Sequence, residues 1–473
     1  MGCWPSSLLC GVMSSAVVRR SARCGRIQRG NRPWVGQPWS RSTRWCRLFS
    51  SSGPGGWLRV LHDSRMQLTW WNPRPARCRI RPVNLPFVAE PRVAIAYDCF
   101  FPINSGGGER VYRRIAELLR ERGSDVDYVT RTQWEGPAPE ASFAIVPVWR
   151  GEIYDSSGTR TPVSAVKFAL ALYRHFRARR ENYDLVIVSA LPVLNVFAVQ
   201  LALAGSGTFV VTDWLEVWGW RQWRRYSGAL MGTVAALLQF LAIRLGNLHT
   251  VNSDFTGSRI RSYQRRATPV TLGLIDLVGV AADSSTERSD EPYLIFIGRH
   301  IADKRLIDLL PAMSEARKRI GKLRLVIVGS GPETAAVAAG ITELGLDDAV
   351  TLAGRVSDAE LHTLLAGARA LVNPSRREGF GLVIAEAAAV ATPCVVVAGP
   401  DNAAAELVCN GVNGSVAASV KPSELAAAVV AVVTAGEPLR KSTQEWFERE
   451  RTTGGLTRSL DQILQAYRSA KTR

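Results

Sequence analysis

From Arg92 onward the chain alternates short, largely apolar runs with stretches of helical length, and that alternation leaves few architectures open. RVAIAYD, SDVDYVT, ASFAIVPV, YDLVIVSA, GTFVVTD and LHTVNSD form one series; PYLIFIG, LRLVIVG, AVTLAG, ARALVNPS and PCVVVAG form a second. A strand with one wet face alternates apolar and polar residues, whereas a strand covered on both faces is apolar throughout. Intervening stretches such as RVYRRIAELLRERG and PVSAVKFALALYRHFRARR are the covers. The expected fold class is α/β: two doubly wound Rossmann-like domains facing across a cleft. The series breaks once, at the polar VAADSSTERSDEP (280–292), and then restarts. The expected organisation is an N-terminal, acceptor-side domain at 92–280, a linker at 281–291, a C-terminal nucleotide-type domain at 292–440, and a helical tail at 441–473 that packs back across the domains.

Residues 1–91 stand apart. The first 90 hold 15 Arg, no Lys and only Asp63 and Glu90 as acids, so they carry +13 of the net +18. They also hold 7 of the 14 Trp and 5 of the 8 Cys, without helical or strand periodicity. In a secretory signal charge precedes the apolar core; here SSLLCGVMSSAVV precedes Arg19 and Arg20. The expectation is a disordered or mis-assigned leader, with the start at Met66 or Val88; an intact mass that includes Met1 would end that idea. The remaining charge is ordinary, so no nucleic-acid partner is expected. Cys99, Cys394 and Cys409 form no C-x-x-C, which points away from a metal framework and toward a reducing, cytoplasmic compartment. No stretch reaches the roughly 20 apolar residues that span a bilayer. The nearest, GALMGTVAALLQFLAI (228–243), stops at Arg244 and is expected to be a buried helix.

In doubly wound sheets ligands bind beyond the carboxyl ends of the strands. Two such ends carry candidate chemistry. In ALVNPSRREGFGLVIAEAAAVATP, Gly379 and Gly381 flank Phe380 where a strand turns into a helix at Leu382, Glu378 precedes them, and Glu386 sits about two turns into the helix. Glycines admit a ligand to the backbone, a helix start offers unpaired N–H groups, and a carboxylate accepts hydrogen bonds from a vicinal diol. In IFIGRHIADKRL, Arg299 and Lys304 follow the first strand of the second series. Taken alone, the glutamates are a dipole-compensating acid and a surface acid, and the basic pair a charged surface cluster.

Together these segments resemble the E-x7-E signature of the family-4 retaining glycosyltransferases, which have the GT-B fold; the resemblance covers nearly all of residues 92–470. It implies that Arg299, Lys304 and Glu378 are catalytic, with the basic pair on the donor diphosphate. Gly107, Gly108, Gly379, Phe380, Gly381, Leu382 and Glu386 would complete a site for a UDP- or GDP-sugar. Lys304 is followed by Arg305 where relatives have Gly, and Leu215 stands where many relatives have a sugar-contacting His. Trp214, Glu216 and Trp218, in the tryptophan-rich TDWLEVWGWRQWRRY, are candidate acceptor contacts; a buried aromatic helix start is the competing reading. No cofactor or metal is required on this reading, and Asp125-Val126-Asp127 is read as a turn, not a D-x-D metal site.

The expected activity is transfer of a mannose- or glucose-type hexose, with retention, to a lipid or polysaccharide acceptor in cell-envelope glycan synthesis. The basic run from Val163 to Arg180 fits either an anionic membrane surface as partner, hence a peripheral site on the inner face of the plasma membrane, or the solvated face of an ordinary Rossmann helix. Two other readings stay open: a GT-B enzyme that makes a soluble disaccharide or epimerises a nucleotide-sugar, and a non-catalytic nucleotide-sugar-binding protein.

Overall fold

The computed structural model describes residues 90–104, 106–153, 160–275 and 291–472. The expectations for residues 1–89 and for linker residues 281–290 lie outside the described residues.

Two all-parallel sheets carry the described residues. The first contains β1 (Val93–Ala96), β2 (Val126–Thr132), β3 (Ala144–Arg150), β4 (Leu185–Ser189), β5 (Phe209–Trp214), β6 (Leu248–Val251) and β7 (Val270–Thr271), in the order β3-β2-β1-β4-β5-β6-β7. The second contains β8 (Tyr293–Ile297), β9 (Arg324–Val328), β10 (Val350–Gly354), β11 (Ala370–Asn373), β12 (Cys394–Val397) and β13 (Gly414–Ala417), in the order β10-β9-β8-β11-β12-β13. In each sheet the chain winds outward from its first strand, then returns and winds the other way. Val93 is in register with Val126 on one side and Leu185 on the other. The winding reverses between β1 and β4, and again between β8 and β11, and these are the switch points where crevices open. The apolar runs do not announce β7 and β13. Both lie at sheet edges, paired on one side only, and two residues or a GSVA segment carry little β-branched signal.

The strands alternate their side chains between two cores. Val93 and Ile95 meet Tyr112 and Ile115 of α1 (Gly107–Glu121), while Ala94 and Ala96 leave room for Phe168 and Phe176 of α2 (Pro162–Ala178) on the opposite face. α2 starts where Thr161 accepts the Ser164 N–H and Pro162 pre-sets the first turn. The other helices of this domain are α3 (Leu194–Ala202), α4 (Trp220–Ser227), α5 (Ala229–Ala242) and α6 (Asp254–Tyr263). The second sheet is flanked by α7 (Leu306–Ile320), α8 (Thr334–Glu343), α9 (Asp358–Gly367), α10 (Leu382–Ala389) and α11 (Pro422–Thr453). α11 starts in the second core with Leu425 and Val429, is interrupted at the non-helical Gly436 (φ 57°, ψ −137°), and resumes as a second helical segment that runs to Thr453. α12 (Leu456–Lys471) then lays Leu456, Leu460, Ile463 and Leu464 into the first core. This crossing is tight: a Cβ on Gly273 would overlap the Gly454 carbonyl.

One helix departs from expectation. α5, expected to be buried, buries only Gly232, Gln239 and Ala242, and Leu230, Val234, Leu237 and Leu241 face outward. Periodicity alone cannot tell an apolar stripe that faces a core from one that faces a different partner.

Candidate active site

Three loops at the switch points meet along one interdomain seam. The loop after β1 leads through Gly106 into α1; the loop after β8 carries Arg299 and Lys304; the loop after β11 carries Glu378 to Gly381. A Cβ on Gly107 would come within 2.8 Å of Leu382 Cδ1, and one on Gly379 within 2.8 Å of the Leu215 carbonyl. Glycine thus lets the two domains touch backbone to side chain. Gly108 faces Leu215 and the Tyr97 hydroxyl, so Leu215 sits between the glycine loop and the second domain. Phe380 and Leu382, from the second domain, pack against the first domain's core.

Several charges in this seam are paired. Lys304 Nζ donates to Glu378 Oε1, which also accepts from Asn373 Nδ2 (3.1 Å) and Ser375 Oγ (2.9 Å). Three donors thus converge on one oxygen of the Glu378 carboxylate and fix its position. Arg299 is exposed, with no side-chain hydrogen bond or ion pair among the described residues. Gly381 begins α10 at φ 96°, a left-handed conformation that an L side chain resists, and a Cβ there would reach Ala404 at 2.7 Å. Because α10 begins at Leu382, Glu386 lies little more than one turn into it, where two turns were expected. Its carboxylate accepts from Arg110 Nη1 at 2.9 Å, across the seam from α1. Burial raises the Glu386 carboxyl above its ordinary range, and Arg110 opposes that shift.

Of the acceptor candidates, Glu216 and Trp218 reach the seam and Trp214 does not. Trp214 ends the wholly buried strand β5, is 1% exposed, and donates its ring N–H to His249 Nδ1 at 3.2 Å. Its flat face belongs to the core. Glu216 accepts from Trp218 Nε1 (2.5 Å) and lies 3.7 Å from Arg377, whose guanidinium covers the Trp218 ring at 4.3 Å. Burial raises Glu216, with Arg377 opposing. A small, shallow crevice opens here, lined by Glu216, Trp218, Arg259, Arg377, Glu378 and Asp401 among others. Asp125 pairs with Arg120 and Asp127 accepts from the Tyr183 hydroxyl (2.6 Å), so the D-x-D acids are structural; Asp127 is a strand residue, not a turn acid. Among the described residues no group of three His, Cys, Asp or Glu is placed to hold a metal.

The sequence reading missed Arg110, Arg377 and Arg259. Arg110 follows the glycines by two positions, so the first turn of α1 carries it to the same seam, a placement the spacing did contain. Arg259, on α6, bonds Asp401 and the Pro400 carbonyl (2.8 Å) of the other domain, and no local pattern announces such a partner.

Two facing doubly wound domains, with both switch points turned to one seam, define the GT-B class of fold. Residues 281–448 match the family described as "Glycosyl transferases group 1", and residues 106–272 match "Glycosyl transferase 4-like domain". The chain is 35% identical over 346 residues to the MMP alpha-(1->4)-mannosyltransferase of Mycolicibacterium hassiacum, covering 64% of this chain and 82% of that protein. It belongs to the group 1 glycosyl transferases. Among solved structures, sucrose-phosphate synthase (tll1590) from Thermosynechococcus elongatus superposes with a TM-score of 0.67 at 18% identity, over 80% of this chain and 99% of that one. Anabaena HepE in complex with UDP and glucose superposes with a TM-score of 0.59 at 17% identity, over 80% and 100% of the two chains. The first curated relatives are matched less completely: the chain spans 46%, 45% and 27% of their lengths.

Proposed function

We propose that the protein transfers a mannose- or glucose-type hexose from a UDP- or GDP-sugar to a hydroxyl of a lipid or glycan, with retention of anomeric configuration, at the inner face of the plasma membrane. The observation that most supports this reading is the Lys304–Glu378 pair, at the switch point that faces the glycine loop of the other domain.

In the reaction the bond from C1 to the diphosphate breaks as the acceptor oxygen bonds to C1. The acceptor proton passes to the departing phosphate on the same face, so no protein base is needed. Arg299 and Lys304 stabilise the charge gathering on the diphosphate, and Glu378 positions Lys304. Glu386 accepts from the ribose hydroxyls, and the backbone from Gly379 to Leu382 meets sugar or phosphate oxygens. Gly107 and Gly108 let the first domain close on the donor, and Glu216 and Trp218 face the acceptor. The seam excludes water, so transfer outruns hydrolysis. The mannosyltransferase relative and the UDP and glucose in HepE agree with this substrate class.

The test is a screen of UDP- and GDP-sugars for thermal stabilisation, followed by turnover with the stabilising donor and NMR of the product's anomeric centre. One donor should stabilise the protein and yield the donor's own anomeric configuration, with turnover undiminished in chelator. An inverted product, or no stabilisation by any donor, would reject the proposal.

A further inference from the structure

The first domain has an apolar surface that the proposed chemistry leaves unused. On α5, Leu230, Val234, Leu237 and Leu241 recur at helical spacing on one face, and all are exposed, Leu230 at 81%. Gln239 fixes that face outward. Its side chain accepts from the Trp218 N–H (3.0 Å) and Trp223 Nε1 (3.1 Å) and donates to the Trp218 carbonyl (2.6 Å), tying α5 to α4. α4 exposes Trp220 and Tyr226 beside Arg221, Arg224 and Arg225. α2 packs against α3, and α3 against α5. α2 exposes Val163, Val166 and Leu170 among Lys167, Arg174 and Arg177. No Asp or Glu occurs in any of these four helices.

We propose that this face, centred on the α4–α5 hairpin, docks on an anionic phospholipid bilayer. The leucine stripe of α5 enters the boundary between headgroups and acyl chains, and the arginines of α4 pair with lipid phosphates. The charge pattern selects this occupant. Apolar residues flanked by cations, with no carboxylate between them, complement an anionic surface. A second copy of this chain, docked by the same face, would press two cationic surfaces together with no carboxylate in these helices to pair them. Trp220 and Tyr226 lie beside the arginines, as amphipathic rings do at a bilayer interface. At the far end of α5, Arg244 lays its guanidinium over the Phe240 ring at 3.6 Å and covers apolar surface with a charged side chain. Among the described residues no helix is long and apolar enough to cross a membrane, so the contact is one of lying on the surface. Because Trp218 both lines the crevice and leads into α4, the docked face adjoins the site. Resting on the proposed transfer reaction, this narrows the acceptor to one held in the membrane.

The test is flotation of the full chain, without donor, with vesicles of phosphatidylcholine alone or mixed with phosphatidylglycerol. Binding is expected only with the anionic vesicles. Leu230→Asp with Leu237→Asp should cut partitioning at least about tenfold, with the thermal unfolding midpoint unchanged because both side chains face outward. Arg221→Glu with Arg224→Glu should weaken it most at low salt. The inference fails if the wild type does not float, if the leucine variant floats as the wild type does, or if the face proves to be a dimer contact that those aspartates dissolve. An inactive protein that floats would leave this inference standing and reject only the transfer reading. Turnover on a soluble acceptor without flotation would reject this inference alone.

Discussion

Replacing Glu386 by Ala separates a ribose contact from a structural ion pair, because the free protein already gives this carboxylate a partner. Glu386 and Arg110 meet at 2.9 Å with side chains 24% and 38% exposed. A pair so open to water is worth about 0.5–1 kcal/mol, not the several of a dry pair. Two ribose hydroxyls on the same carboxylate are worth about 1–3 kcal/mol. A bound nucleotide that draws Glu386 from Arg110 gives back the smaller sum and gains the larger. Glu386→Ala should therefore weaken nucleoside diphosphate binding by the difference, about 0.5–2 kcal/mol, or between about twofold and thirtyfold. Arg110→Met, which frees the carboxylate, should leave affinity unchanged or tighten it by up to about fivefold. Calorimetric titration of UDP and GDP into each variant measures both. A nucleotide lacking the ribose hydroxyls should show the same loss on the wild type and none on Glu386→Ala. Unchanged affinity in Glu386→Ala would refute the ribose assignment. A tenfold loss in Arg110→Met would show instead that Arg110 is the group that meets the ligand.

Lys304→Met should lower kcat/KM by at least about a hundredfold through lost stabilisation of the leaving diphosphate, while Glu378→Gln, which keeps the site's shape, should lose less; release of nucleoside diphosphate over time measures both. Gly379→Ala places a methyl against the Leu215 carbonyl and Asn252 Nδ2, and urea unfolding should show a loss of about 1–3 kcal/mol, with weaker donor binding as the seam is forced open. Burial raises the Asp213 carboxyl to about 6 against hydrogen bonds from Thr250 and Tyr112. A folded-state value above the unfolded one makes the neutral acid the favoured native form, so its stabilisation is complete below the ordinary aspartate range and is lost as pH rises through about 6. Relative to Asp213→Asn, the wild type should lose on the order of 3 kcal/mol between about pH 4 and pH 7; a constant difference in urea stability would contradict this.

Patterns that depend on neighbours in the sequence carried the α/β class, the central strands and the glycine-bearing loops at the seam. A buried parallel strand must be apolar on both faces, and a loop at a strand end must contain the glycines that let a ligand or another domain approach. RVAIAYD and PYLIFIG therefore marked themselves as strands, and REGFGLVIAE marked the glycine turn into α10. The edge strands β7 and β13 carried too little of that pattern to be seen.

Which partner each side chain meets was decided by the fold. Trp214 and Trp218 are four residues apart in one tryptophan-rich stretch, yet one ends a central strand and is core while the other borders the crevice. Arg110 and Glu386 are 276 positions apart and become a pair only because two domains close on each other. The apolar stripe of α5 is plain in the sequence, but its direction is not. The same period serves a helix that faces a sheet and one that faces away. Gln239, turned inward onto Trp218 and Trp223 with Gly232 and Ala242 buried on the same side, sets which side of α5 meets the protein and which is left for another surface.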